Sequence, residues 1–153
     1  MAKPKNETKE MNLDFSAFLA GNANQISEVH FVASKRFMQG DTPVEWIIKP
    51  IDSQTEEAIR KSCTKQVEVT GKRGYYQDKT DMDAYLAKMC VASTAFPPLN
   101  NVELQNSYGV MGGEALLKKL LHLPGEYTEY KAKVMEVNGF DTGMGQLVAD
   151  AKN

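Results

Sequence analysis

Histidine, cysteine and carboxylate side chains at short, regular spacing make metal sites, and this chain offers few of them. Its two histidines, His30 and His122, lie far apart, and its two cysteines, Cys63 and Cys90, are 27 residues apart. No C-x-x-C or H-x-x-x-H spacing occurs, whereas zinc needs three or four converging N or S ligands. The cysteines read as small buried hydrophobes, with a redox pair as the residual alternative. The histidines read as surface or satisfied side chains. The segment GKRGYY at residues 71–76 brings Gly, Lys and Arg together. It lacks the G-x-x-x-x-G-K-[ST] spacing and the strand-to-helix setting of a phosphate loop. It reads instead as a basic, aromatic-tipped loop that could serve as a contact surface. YGVMGG at residues 108–113 has glycines but no following Lys-Ser or Lys-Thr. No G-x-S-x-G is present, and the paired carboxylates Glu56–Glu57 and Asp81–Asp83 fall in first helical turns, where the helix dipole favours them. With no converging acid, base, metal or nucleophile, no catalytic residue and no cofactor is expected.

The whole-chain quantities narrow the classes further. At 153 residues the chain is expected to form one domain. A net charge of −2 gives no basic footprint for nucleic acid. No apolar run approaches the roughly 18 residues of a membrane span, and MAKPKNETKE lacks the apolar stretch of a secretory signal. Two cysteines are too few for a disulfide framework, which points to a reducing cytoplasm. Leu, Ile, Val and Phe number 33 of 153, so the core is thin, and eight Met residues make up part of the deficit.

The elements that must position these side chains follow from periodicity. Residues 1–11 read as a mobile polar tail, and residues 12–153 as the domain proper. Asn12 or Asp14 can cap a short helix carrying Leu13, Phe15, Phe18 and Leu19, ending at Gly21. Residues 28–38 alternate, with Val29, Phe31, Ala33 and Phe37 on one face. QGDTP at residues 39–43 is a turn, and residues 44–49 place Val44, Trp46 and Ile48 on one face before Pro50. This predicts a β-hairpin over about residues 28–51. The remainder, about residues 53–153, is predicted to be helical. Ser53 with Glu56 makes a capping box, and Ile59, Cys63 and Val67 share a helical face. Residues 68–79 are a loop. Thr80 caps a helix whose stripe runs Met82, Tyr85, Leu86, Met89 and Phe96, and Pro97 and Pro98 stop it. A short helix from Val102, a leucine helix around residues 114–123, a helix from Pro124 to Gly139 and a last helix from Asp141 complete the chain. The expected fold class is α+β: an N-terminal β-hairpin followed by a mainly helical bundle.

The densest apolar cluster lies in the last third. Leu116, Leu117, Leu120, Leu121 and Leu123 crowd a chain poor in Leu elsewhere, followed by Tyr127, Tyr130 and Val134 at helical spacing. These eight residues are either the core of a helix pair or a face for an apolar partner helix, and composition alone does not choose. ELQNSYGVMGGEALLKKLL has the outline of a helix-turn-helix. Its second helix carries only Lys118 and Lys119 as cations, too few for base edges and phosphates.

Several longer blocks resemble the XkdN-like phage tail assembly chaperones. They are VASKRF at residues 32–37, PVEWIIKPI at 43–51, RKSCTKQVEVTGKRGYY at 60–76, LNNVELQNSYGVMGGEALLKKLL at 99–121 and PGEYTEYKAKVMEVNGFD at 124–141, followed by LVADAKN. The similarity runs from about residue 11 to residue 153. The polar N-terminal extension departs from the family pattern, as do Gly143 and Gly145, which put the length of the last helix in doubt. The resemblance implies a chaperone that binds the tape measure protein in the host bacterial cytoplasm. It would keep that long apolar helical protein soluble until tail tube subunits polymerise, and then be absent from the finished virion. The tail tube protein is a second expected partner, and self-association stays open. Neither nucleic acid nor membrane is an expected partner. The family brings no catalytic residues and no residue-level binding site. The leucine-rich face is therefore assigned to the client on leucine density alone. The competing readings are a structural tail component, tube or baseplate, and a helix-turn-helix regulator.

Overall fold

Alternating apolar positions on either side of a Gly-Asp turn build the first part of the fold, which a computed structural model describes for residues 13–140. The expected polar tail at residues 1–11 and the expected last helix from Asp141 lie outside the described residues. Strand β1 (Val29–Phe31) leads through β2 (Met38–Gln39) and β3 (Thr42–Pro43) into β4 (Trp46–Ile48). β2 and β3 pair around Gly40 and Asp41, and Gly40 supplies the positive φ of 66° that so tight a turn requires. β1 pairs antiparallel with β4, setting Val29 opposite Ile48, His30 opposite Ile47 and Phe31 opposite Trp46. Trp46 and Ile48 are buried, while Ile47 between them points to the other face, half-buried.

Beyond Pro50 the chain departs from the expected bundle. Helix α1 (Ser53–Ser62) is capped by Asp52, whose carboxylate accepts from the Thr55 N–H at 2.7 Å. The expected Ser53–Glu56 box is absent, since Ser53 is the first residue inside the helix, and Glu56 instead accepts the Tyr85 hydroxyl at 2.6 Å. α1 does not run on to Val67. The Thr64 hydroxyl donates to the Arg60 carbonyl at 2.8 Å, ending the helix. The β-branched Thr64 and Val67 then enter strand β5 (Thr64–Glu68). β5 pairs with β6 (Tyr76–Thr80), which occupies the segment expected to be a loop. Helix α2 (Met82–Ser93) is capped by Asp81, one residue beyond the expected Thr80, through the Ala84 N–H at 3.1 Å. Phe96 is not on its stripe. Thr94 donates back to the Cys90 carbonyl at 2.6 Å, and strand β7 (Thr94–Phe96) adds to the free edge of β4. The sheet order is therefore β1-β4-β7.

Three helices follow: α3 (Val102–Ser107), α4 (Gly113–Leu120) and α5 (Pro124–Val137). Asn101 caps α3 through the Leu104 N–H at 2.8 Å, Pro124 opens α5, and Gly139 follows it at φ 89°. Gly112, ahead of α4, sits at φ 96° and ψ 152°, a backbone region essentially closed to residues with a Cβ. That constraint accounts for one glycine of the YGVMGG segment without invoking a ligand.

The expected fold class is thus overturned. Among the described residues 41% are helical and 18% are in strands, the sheets are antiparallel, and three strands fall where helix or loop was expected. The chain is a mixed α/β protein. Its core is one cluster that joins the inner face of the sheet (Trp46, Ile48) to α2, α4 and α5. Tyr130 of α5 meets Trp46 edge-on at 5.1 Å between ring centroids, and its hydroxyl donates to Thr94 at 2.6 Å. The Asn138 amide donates to Ser93 and accepts from the Ile51 N–H, both at 2.9 Å, tying α5 to α2 and to the end of the hairpin.

The Tyr85–Glu56 bond makes a pH-dependent contribution. Donation from Tyr85 holds the Glu56 carboxyl below its ordinary value. The contribution is therefore present above that ordinary value and is lost as pH falls through the lowered one. Tyr85→Phe is expected to cost about 1.5–3 kcal/mol at pH 7 and to flatten the loss of stability in acid. Urea melts of both proteins at pH 7 and pH 3 check this: a cost as large at pH 3 as at pH 7 would rule it out.

Candidate partner-binding surface

The amphipathic pattern of α4 has a definite destination. Leu116, Leu117, Leu120 and Leu121 turn toward α2, leaving Lys118 and Lys119 exposed on the other side. Leu116 and Leu117 are fully buried, Leu120 and Leu121 nearly so, and Tyr130 and Val134 are fully buried as well. Six of the eight residues assigned to a client face therefore form the core itself and present no surface. Tyr127 is half-buried, with the Lys131 ammonium 4.5 Å from its ring centre, and burial pushes its phenol up. Only Leu123, 53% exposed, lies open to solvent.

The two cysteines are free and buried, at the end of α1 and within α2. Burial pushes the Cys90 thiol up to about 12, so it holds its proton at neutral pH and is a poor nucleophile. Among the described residues no three His, Cys, Asp or Glu side chains converge on a point that could hold a metal ion, and no helix is long and apolar enough to cross a membrane.

The exposed apolar surface lies elsewhere. Every residue from 13 to 28 is exposed. Within this arm Leu13, Phe15, Phe18, Leu19 and Ile26 are 50–85% exposed, a concentration of large apolar side chains that a soluble surface seldom carries uncovered. The arm has local order. The Asp14 carboxylate accepts from both the backbone N–H (3.0 Å) and the hydroxyl (3.1 Å) of Ser16. A single 3-10 turn at Ser16–Phe18 follows, and the Asn22 amide donates to the Ser16 carbonyl at 2.8 Å. The expected short helix is reduced to that turn, since a single turn with no buried face is too short to propagate.

The arm enters β1 beside a shallow groove on the outer face of the sheet, floored by Val32, Val44, Ile47 and Phe96. His30 stands at its rim between Glu28 and Glu45, at 3.2 and 3.3 Å. Hydrogen bonds to these two carboxylates, Glu28 first, raise its pKa. His30 and Glu45 give the apolar-floored groove a charged border on the side where the arm joins β1. Sequence reasoning found the apolar residues of the arm but had no signal for their lack of cover.

Residues 15–152 match the family described as phage XkdN-like tail assembly chaperone protein. The chain is 29% identical over 148 residues to the phage-like element PBSX protein XkdN of Bacillus subtilis (strain 168), covering 96% of this chain and 99% of that one. It is 30% identical over 141 residues to the uncharacterized protein YqbN of the same organism, covering 92% and 93%. The crystal structure of the protein YqbN shares the fold, with a TM-score of 0.71 at 27% identity, over 85% of this chain and 99% of that one.

Proposed function

The chain belongs to the XkdN-like phage tail assembly chaperones, and from that premise we propose that it binds the tape measure protein through its apolar arm and keeps it soluble in the host cytoplasm until the tail tube forms. The single observation that carries this reading is the arm at residues 13–28, whose large apolar side chains have no cover of their own. A chaperone without a nucleotide cycle acts by mass action alone: it binds the aggregation-prone state and lowers its free concentration. An arm with local order and large exposed apolar side chains suits that role. It offers Leu and Phe to an apolar helix and can adapt to segments that differ in shape. Because the contact is small, tube subunits that bind the client over a larger surface displace it, and the chaperone is left out of the finished particle.

Co-expression tests this. With the intact chain, the tape measure protein should move from the pellet into the soluble fraction. The Phe15→Asp/Phe18→Asp/Leu19→Asp variant should keep the parent's melting temperature, because none of the three side chains is buried, yet leave most of the client insoluble. An intact chain that does not raise client solubility would refute the function. A variant as effective as the parent would refute the arm's part in it. Many copies of the chain in purified tails would mark it as a structural component instead.

A further inference from the structure

The basic, aromatic-tipped segment at residues 71–76 has no part in the arm or the groove, and it closes a β-ribbon. Strands β5 and β6 are set in the register Thr64–Thr80, Lys65–Lys79, Gln66–Asp78, Val67–Gln77 and Glu68–Tyr76. The Val69 N–H continues the pairing to the Tyr75 carbonyl at 2.8 Å. The tip is built rather than loose: Gly71 and Gly74 take positive φ, and the Glu68 carboxylate accepts from the Gly74 N–H at 2.9 Å.

The two faces of the ribbon differ. Side chains alternate along a strand, so Thr64, Gln66, Glu68, Tyr76, Asp78 and Thr80 share one face. Its pairs are complementary, and the Thr64 and Thr80 hydroxyls bond at 2.7 Å. The other face sets Lys65 directly against Lys79, a like-charge pair that weakens a ribbon. Among the described residues neither lysine has a carboxylate within ion-pair distance. Beyond the pair this face carries half-buried Val67 and Val69 and then Tyr75, 67% exposed, with Lys72 and Arg73 at the tip. From Lys65 to Val69 is four strand residues, roughly 13 Å. A cavity of about 540 Å³ runs along Lys65, Val67, Lys79 and Met82 and ends at Asp81 and Asp83. Asp81 is engaged as the cap of α2. The strip thus carries two lysines facing two aspartates at its base, uncharged Val67, Gln77, Val69 and Tyr75 along its middle, and Lys72 and Arg73 at its tip.

We propose that this face of the β5–β6 ribbon binds an acidic amphipathic segment of a partner protein. The segment's carboxylates would lie between Lys65 and Lys79 and near Lys72 and Arg73, and its apolar side chains on Val67, Val69 and Tyr75. Charge complementarity selects this occupant, because an incoming carboxylate turns the repulsion of the opposed lysines into attraction from both. Tyrosine at the exposed end supplies apolar area with a polar tip, as interface anchors do. A nucleic acid fits less well. Its phosphates repeat every few ångströms along the backbone and would lie over uncharged Val67, Val69 and Tyr75, where an amphipathic segment places apolar side chains.

The test uses the full chain and two fluorescein-labelled helical peptides: one with a leucine stripe flanked by Glu, and its twin with Lys in place of every Glu. In fluorescence anisotropy at low salt, the Glu peptide should bind at least roughly tenfold more tightly than the Lys twin. Lys65→Glu should weaken Glu-peptide binding by about tenfold or more, with a melting temperature equal to or above the parent's, because it places opposite charges across the strands. Lys65→Gln should weaken binding in the same direction, and Lys118→Glu, remote on α4, should not. Equal binding of the two peptides, no binding of the Glu peptide, or unchanged binding by Lys65→Glu or Lys65→Gln would overturn the proposal. So would an equal loss in Lys118→Glu. Tighter binding of single-stranded or duplex DNA than of the Glu peptide would also overturn it and make the ribbon a nucleic-acid surface.

Discussion

Replacing Leu117 with aspartate is expected to unfold the protein. Leu117 is fully buried in the cluster that joins α4 to α2 and α5. Removing such a side chain down to alanine costs about 2–5 kcal/mol. Aspartate adds the cost of placing an unpaired carboxylate among apolar neighbours, or of protonating it there. Against a total stability of about 5–15 kcal/mol for a domain, the sum removes most or all of the margin. Circular dichroism should show loss of helix at 25 °C, or a melting transition lowered by tens of degrees, and size exclusion should show expansion or aggregation. This also distinguishes the two readings of the leucine cluster. If Leu117→Asp folds like the parent, α4 faces solvent and its leucines are again available to a client.

Trp46→Ala is expected to produce the second largest loss, about 3–5 kcal/mol. β4 is the central strand of its sheet, and Trp46 supplies the bulk of that strand's inner face. Its ring meets Tyr130 edge-on, and Phe31 of β1 lies 6.3 Å from the same tyrosine ring, so Tyr130 packs α5 against both strands. Removing it leaves a void that Ile48 and Tyr130 cannot fill without shifting the Thr94–Tyr130 hydrogen bond. Trp46 is the sole tryptophan, so urea unfolding followed by far-ultraviolet circular dichroism is the suitable measurement. A midpoint within experimental error of the parent's would show that the sheet is not anchored through this residue.

The strands around Trp46 were legible because alternation over residues 28–49 is a local signal. So were the Pro124 start and the Gly139 stop of α5. Residues 59–67 misled for a definite reason. Ile59, Cys63 and Val67 fit a helical period, yet Thr64 carries a hydroxyl that satisfies the Arg60 carbonyl and closes the helix. Periodicity records neither that bond nor the cross-strand partner Thr80. Phe96 misled similarly, because β7 exists only by pairing with β4, nearly fifty residues earlier, and such pairing leaves little mark on a short segment. Asp52 caps α1 in place of Ser53, and Glu56 bonds to Tyr85, a partner distant in sequence that local pattern cannot show. The leucines of α4 show the limit most sharply. An apolar stripe that α2 will cover has the same spacing as one a partner will cover. The arm is the converse: Leu13, Phe15, Phe18 and Leu19 look like any amphipathic turn until their exposure is seen.

The Tyr130–Trp46 contact also sets the order in which this molecule can mature on the ribosome. β4 emerges early, but its second strand neighbour ends at Phe96, and the ring that closes over its indole sits on α5. Until Tyr130 has left the exit tunnel, the nascent chain carries an unfinished sheet with its tryptophan uncovered. Contacts spanning this much sequence form late. The inner face of the sheet is therefore completed only when α5, the final described helix, docks on Trp46.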